Sequence, residues 1–341
     1  MQYAIRHISH FRYETPISQS LMEVRTHPRT EAQQYCYSFE LSVTPHAQVF
    51  SYQDYDGNTI HHFDLPARHD ELRLESRSLV EVREPDPLPP ALGADAWDRL
   101  DAEAAASGAL EMTLPSAFAR PTDRLRQLAD ELEVRRHDDP LTLLLRTTGR
   151  MRETFDYSRR STHARSPIDD ALAMRKGVCQ DFAHIFIALA RSVGIPCRYV
   201  SGYLFHRTGD DGDDRSAEDG SHAWVEALLP DLGWIGFDPT NNLVARERHI
   251  RVAVGRDYAD VPPTRGVYKG KTRSELRVGV QVKKATFPAN VEPEMPELAY
   301  VTQGADRDLP PDAQAPGPVQ SQMQQQQARL SSPSFDELPA G

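Results

Sequence analysis

The sequence predicts an α+β chain. In it, an apolar helix opened by a cysteine packs on an antiparallel sheet, and a β-sandwich-like domain precedes that unit. Three observations lead there. Residues 1–85 are dominated by short segments rich in β-branched and aromatic side chains, several alternating with polar neighbours. From about residue 95 apolar residues recur at three- and four-residue spacing, the period of a helix. Between Lys176 and Asn241 a turn, an apolar helix, a strand and a hairpin follow one another.

In the opening region Tyr3, Ile5 and His7 alternate with polar neighbours. YCYSFELSV, AQVFSYQDY, NTIHHFDL and LRLESRSLVEV read as further strands, and Asp56-Gly57 marks a hairpin turn. His61 and His62 are adjacent, so on a strand they point to opposite faces and do not form a metal pair. Residues 86–94 form a proline-rich linker. Residues 95–284 are expected to form one catalytic domain, with helices over 119–134, 140–157 and 168–175. Residues 285–341 are rich in proline and glutamine. They hold too little apolar surface to offset chain entropy, and disorder is expected there.

Composition narrows the function classes. The chain has 341 residues, 39% of them hydrophobic, and a net charge of −11. The tail contributes −6 of that charge, and neither part presents the basic face that nucleic acid requires. No run of about 18 apolar residues exists, so no membrane partner is expected. The start, MQYAIRHISHF, lacks the apolar core of a secretion signal, which places the protein in the cytoplasm. Cys36, Cys179 and Cys197 are odd in number and widely spaced, as reduced thiols are.

Cys179 is the residue that chemistry singles out. It opens the helix of QDFAHIFIALARSVG, in which Phe182, Phe186, Leu189, Ala190 and Val193 share one stripe and Gly194 stops the helix. A helix N-terminus carries unpaired N–H groups and partial positive charge, which favour a thiolate. In SHAWVEALLP, His222, Trp224 and Glu226 share a strand face; in GWIGFDP, Trp234, Gly236 and Asp238 do. Pairing centred near residue 230 sets His222 opposite Asp238, within reach of an imidazole–carboxylate hydrogen bond. Cys179 then attacks a carbonyl, His222 moves the proton, and Asp238 orients His222. The Cys179 N–H is one oxyanion donor; Tyr157, or another side chain of 156–163, is a candidate for the second. Trp224 is a packing residue or a substrate contact. Cys197 and His184 read as core residues. The acidic loop 209–220 lacks EF-hand spacing and reads as a solvated loop or lid. No cofactor and no metal site is expected.

GVCQDFA, GIPCRYVSGY, HAWVE and WIGFDPTN, with the upstream YSRRST and PIDDALAMRKG, resemble the transglutaminase-like superfamily of cysteine enzymes, whose catalytic layout is papain-like. The β-rich opening resembles the N-terminal region that accompanies this domain in bacterial members. The resemblance implies a triad of Cys179, His222 and Asp238, and an aromatic side chain at the oxyanion, a place Tyr157 can fill. It also implies acyl transfer on amide bonds of a peptide or protein substrate. Hydrolysis, a protease-like activity, is the favoured outcome. Transfer of glutamine acyl groups to amines, and a non-catalytic peptide-binding module, are the alternatives.

Overall fold

A computed structural model describes residues 1–158, 161–206 and 220–286. The expected tail beyond residue 286 and nearly all of the acidic loop lie outside the described residues. The opening strands are β1 (Gln2–Ile17), β2 (Gln19–Val24), β3 (Gln34–Thr44), β4 (Phe50–Gln53), β5 (Thr59–Leu65) and β6 (His69–Val82). Helices follow: α1 (Ala96–Ala106), α2 (Asp123–Glu131) and α3 (Pro140–Thr154). Next come β7 (Asp156–Tyr157), α4 (Ile168–Met174), β8 (Lys176–Gly177) and α5 (Cys179–Ser192). The chain continues through β9 (Cys197–Leu204), β10 (His222–Leu229), β11 (Gly233–Asp238), β12 (Leu243–Val244) and β13 (His249–Gly255). It returns to the first unit with β14 (Thr264–Lys269) and β15 (Ser274–Lys284).

The opening strands form two sheets, ordered β15-β1-β6-β3 and β14-β2-β5-β4. Alternation along β1 turns Phe11 and Tyr13 inward, where they meet Met22, Phe63, Leu72 and Leu276 in a common core. The last two strands correct the expected division of the chain. Residues 264–284 belong to these sheets rather than to the catalytic unit, because β14 pairs with β2 and β15 runs the length of β1. Their alternating pattern is that of any half-buried strand, and only the partner reveals which sheet they join.

The helices that shape the second unit begin where local chemistry sets them. Thr122 caps α2 by accepting the Leu125 N–H. Asp139 caps α3 by accepting the N–H groups of Leu141 and Thr142, with Pro140 as first helical residue. The five-stranded sheet runs β12-β11-β10-β9-β13, all antiparallel. One face, through Ala223, Val225 and Ala227, packs on α5. Beyond it Tyr203, Ile250 and Val252 join Tyr3, Ile5 and Val80 of the first unit in a shared core. Helix α5 exceeds the single buried stripe expected of it: every residue from Asp181 to Arg191 is buried, with the sheet on one side and α2, α3 and α4 on the other.

Strand β13 lies at the edge of its sheet, where open N–H and C=O groups invite unwanted pairing. Two side-chain amides cover them. Gln34 takes the Arg251 N–H and donates to the Arg251 carbonyl, and Asn58 does the same for Val254. Both amides are fully buried, so two residues of the first unit replace a missing strand. Among the described residues no helix is long and apolar enough to cross a membrane.

Gly202 on β9 lies against the Trp224 ring, and a Cβ there would come within 2.6 Å of Trp224 Cη2 and collide with the Ile250 carbonyl. Gly202→Ala is expected to cost about 2–3 kcal/mol through overpacking. Urea unfolding of parent and variant measures it.

Candidate active site

Cys179 is placed by a short pair of strands and a capped helix. Strand β8 pairs in parallel with β7, setting Tyr157 beside Gly177. Helix α5 then starts at Cys179, and Asp181 reaches back to accept the Val178 N–H at 2.8 Å. A Cβ at Gly177 would fall 2.9 Å from the Asp181 side chain, so this cap requires glycine two residues before the cysteine. Cys179 is half-buried. As first residue of the helix, its N–H has no acceptor within the helix. Thr162 also donates to Asp181. Burial nonetheless dominates and pushes the Asp181 carboxyl up to about 6.

His222 and Asp238 lie on the β10–β11 hairpin, in a register different from the expected one. Leu229 pairs with Gly233 and Val225 with Phe237, so the turn centres on residue 231. Extending that register sets Asp238 opposite Trp224, one diagonal step from His222. The shift moves the partner by two residues and keeps both side chains on one face. His222 Nε2 and Asp238 Oδ2 are 2.8 Å apart, and both residues are buried.

Five donors surround the Asp238 carboxylate. Oδ1 accepts the backbone N–H groups of Thr240 at 3.0 Å and Asn241 at 3.2 Å. Oδ2 accepts His222, the Asn241 side-chain amide at 2.8 Å and His249 Nε2 at 3.2 Å. Burial alone would raise the acid; the charge and hydrogen bond of His222, then those of His249, hold it far below the usual carboxylate range. For His222 burial acts downward. The charge and hydrogen bond of Asp238, joined by a hydrogen bond and charge from Cys179, outweigh it and raise the imidazole well above 6.5. Its Nδ1 is buried and lacks a hydrogen bond of ordinary length and angle. The structure thus joins His222 and Asp238 in one hydrogen bond, with Cys179, at the start of α5, a further influence on the imidazole.

The other predicted residues fall in different places. Tyr157 packs edge-on against Phe182, one turn into α5, and borders a shallow depression with Asp156, Ser158 and Lys176. Trp224 is fully buried and borders a cavity with Gly236, Ala245 and His249. Its indole stacks on His222 at 6.0 Å and meets His249 edge-on at 5.2 Å, so it backs both imidazoles. Cys197 and His184 are core residues: burial drives the Cys197 thiol up to about 12, and His184 Nε2 accepts the Tyr258 N–H. The sequence reading missed Asn241 and His249. The turn after Asp238 could have exposed the first, because an aspartate commonly accepts N–H groups two and three residues on. His249 leaves no local signal, for it comes from β13 at the far edge of the sheet. Tyr199 and Tyr258 were missed too, and both lie within electrostatic reach of Cys179.

His222, Asp238 and His249 offer three metal-capable atoms within 4.8 Å of one another. Their neighbours, one side-chain amide and two backbone N–H groups, are hydrogen-bond donors. The set is that of a buried carboxylate met by hydrogen-bond donors, with a proton on each line to Oδ2.

Two family profiles match the chain. One, the transglutaminase-like superfamily, covers residues 126–239 and contains all three site residues; the other, the bacterial transglutaminase-like N-terminal region, covers 3–81. The chain belongs to the transglutaminase-like superfamily. Similar proteins include an uncharacterized protein of Mycobacterium leprae, 34% identical over 82% of this chain and 97% of its own length. Another, from Mycobacterium tuberculosis, is 33% identical over 82% and 92%. A protein-glutamine gamma-glutamyltransferase of Pseudomonas aeruginosa is 31% identical over 43% of this chain and 23% of its own. In fold, the transglutaminase-like chain is similar to a crystal structure from Cytophaga hutchinsonii, provisionally described as a cysteine protease. The TM-score is 0.62, with 22% identity over 84% of this chain and 92% of that one.

The two shifts set a pH signature. The raised His222 adds stability that is complete below about 6.5 and lost as pH rises toward its folded value. The depressed Asp238 adds stability present above about 3.9 and lost as pH falls. Removing the charge from this buried pair is expected to cost about 3–5 kcal/mol. The stability gap between parent and Asp238→Asn should be widest between about pH 4 and 6.5 and narrow at higher pH. Denaturant titrations at several pH values read it directly.

Proposed function

We propose that this protein is a cysteine-nucleophile acyl-transfer enzyme that hydrolyses amide bonds of peptides or proteins through a thioester. The observation that carries the reading is the buried His222–Asp238 pair, with Cys179 acting on the same imidazole from the free end of α5. The Cys179 thiolate attacks the carbonyl carbon, and the oxygen takes the negative charge beside the Cys179 N–H. The C–N bond breaks as the protonated His222 gives its proton to the leaving amine. His222 then takes a proton from water, whose oxygen attacks the thioester; the acid is released and the thiol restored. Asp238 keeps the imidazole oriented and balances its charge. Tyr157, adjacent to the strand that leads into Cys179, is our choice for the second oxyanion donor.

Transfer to an amine shares every step up to the thioester. It is favoured by the 31% identity to the Pseudomonas aeruginosa gamma-glutamyltransferase. We place the protein in the cytoplasm, a setting consistent with its three cysteines in reduced form.

The test is incubation of the full chain with a peptide library, followed by mass spectrometry of Cys179. A trapped acyl group names the acyl donor, and adding biotinylated pentylamine separates transfer from hydrolysis. Cys179→Ala is expected to lower turnover at least about a thousandfold. Peptide capture by both proteins with turnover by neither identifies a binding module instead. Equal turnover by parent and variant overturns the thiol mechanism.

A further inference from the structure

One carboxylate oxygen in this site serves two imidazoles, and the reaction described above uses only one of them. Asp238 Oδ2 receives His222 Nε2 at 2.8 Å and His249 Nε2 at 3.2 Å. The protonation of the second ring is set from behind. The Arg246 backbone N–H approaches His249 Nδ1 at 3.4 Å, so that nitrogen accepts and Nε2 carries the hydrogen. The ring is buried and held edge-on by the Trp224 indole. The charged groups that act on it are Asp238 from β11, His222 from β10 and Arg248 from its own turn. Burial is the largest influence and, with His222 and Arg248, lowers its affinity for a second proton. His249 is thus a neutral donor, unlike the raised His222 beside it.

We propose that His249 is a positioning residue: its Nε2–H fixes Oδ2 of Asp238 and draws off part of the carboxylate's charge, which limits how tightly His222 keeps its proton. The inference rests on the catalytic reading above. An imidazole in such a reaction must accept a proton and then release it to the leaving amine. A buried carboxylate whose charge fell wholly on His222 would resist that release. Each further donor to Asp238 reduces its hold, and His249 is the donor that comes from outside the β10–β11 hairpin and the turn following it. Because Trp224 contacts both rings, the two imidazoles also keep a fixed spacing.

The experiment follows the His222 side chain by nitrogen-15 NMR titration in the full chain, for the parent, His249→Phe and His249→Gln. Phenylalanine keeps a ring against Trp224 and removes the donor; glutamine restores an N–H near the Nε2 position. The His222 midpoint should rise by about 0.5–1 unit in His249→Phe and return most of the way in His249→Gln. An unchanged midpoint in His249→Phe overturns the proposal, as does an equal rise in both variants. If His249→Phe does not fold, His249→Met reads the same quantity. Iodoacetamide labelling of the parent at pH 6 keeps the two readings apart: Cys179 no faster than Cys36 and Cys197 counts against the thiolate, whereas the midpoint judges His249 alone.

Discussion

A single buried negative charge organises this site. Asp238 is fully enclosed, and an enclosed carboxylate is costly by several kcal/mol unless its lone pairs are met. Here five donors meet them. The effect on histidine is visible within the same molecule. His7 and His184 are as deeply buried as His222, and burial lowers each to about 4. His222 goes the other way, because it alone pairs a carboxylate on one side with a thiol on the other. Burial strengthens that pairing by excluding the water that would screen it. The second imidazole on the same oxygen is lowered, chiefly by burial, with the charges of His222 and Arg248 adding to it.

The rest of the fold supplies rigidity around that charge. Helix α5 is buried from Asp181 to Arg191, which anchors the helix that carries Cys179. The sheet that carries His222 and Asp238 is closed at its β13 edge by two amides of the first unit. That unit is itself completed by β14 and β15, which return after the catalytic segment. The transglutaminase-like unit is therefore an insertion within a β-sandwich-like frame. Movement of the frame against the sheet would disturb β13, and β13 carries His249.

What the sequence disclosed depended on how local the information was. Cys179 at a helix start is a local fact, and it was legible from a few residues. The side of the sheet on which His222 and Asp238 lie was legible too, because parity survives a two-residue change of register. The register itself was not: Asp231 adopts a left-handed conformation that recentres the turn by one position, and no pattern of apolar residues encodes that. Contacts between distant segments were silent. Nothing near His249 marks it as a neighbour of Asp238, since β9 and β10 lie between them in the sheet. The alternation in 274–284 gives a strand without naming β1 as its partner.

The arrangement of the imidazole also dictates an order of events for the thiol chemistry proposed. Nε2 is committed to Asp238, so every proton exchanged with a reactant must pass through Nδ1. That atom has no exposed surface, and it lies on the side from which Cys179 acts. The leaving amine and the incoming water or amine must therefore use the same position in turn. An acceptor cannot be activated while the first product still occupies that position, and this enforces a ping-pong sequence. The division between hydrolysis and transfer is then decided after the first product departs, by which molecule fills the vacated place beside Nδ1. Residues that shape this approach control the outcome more than the triad does.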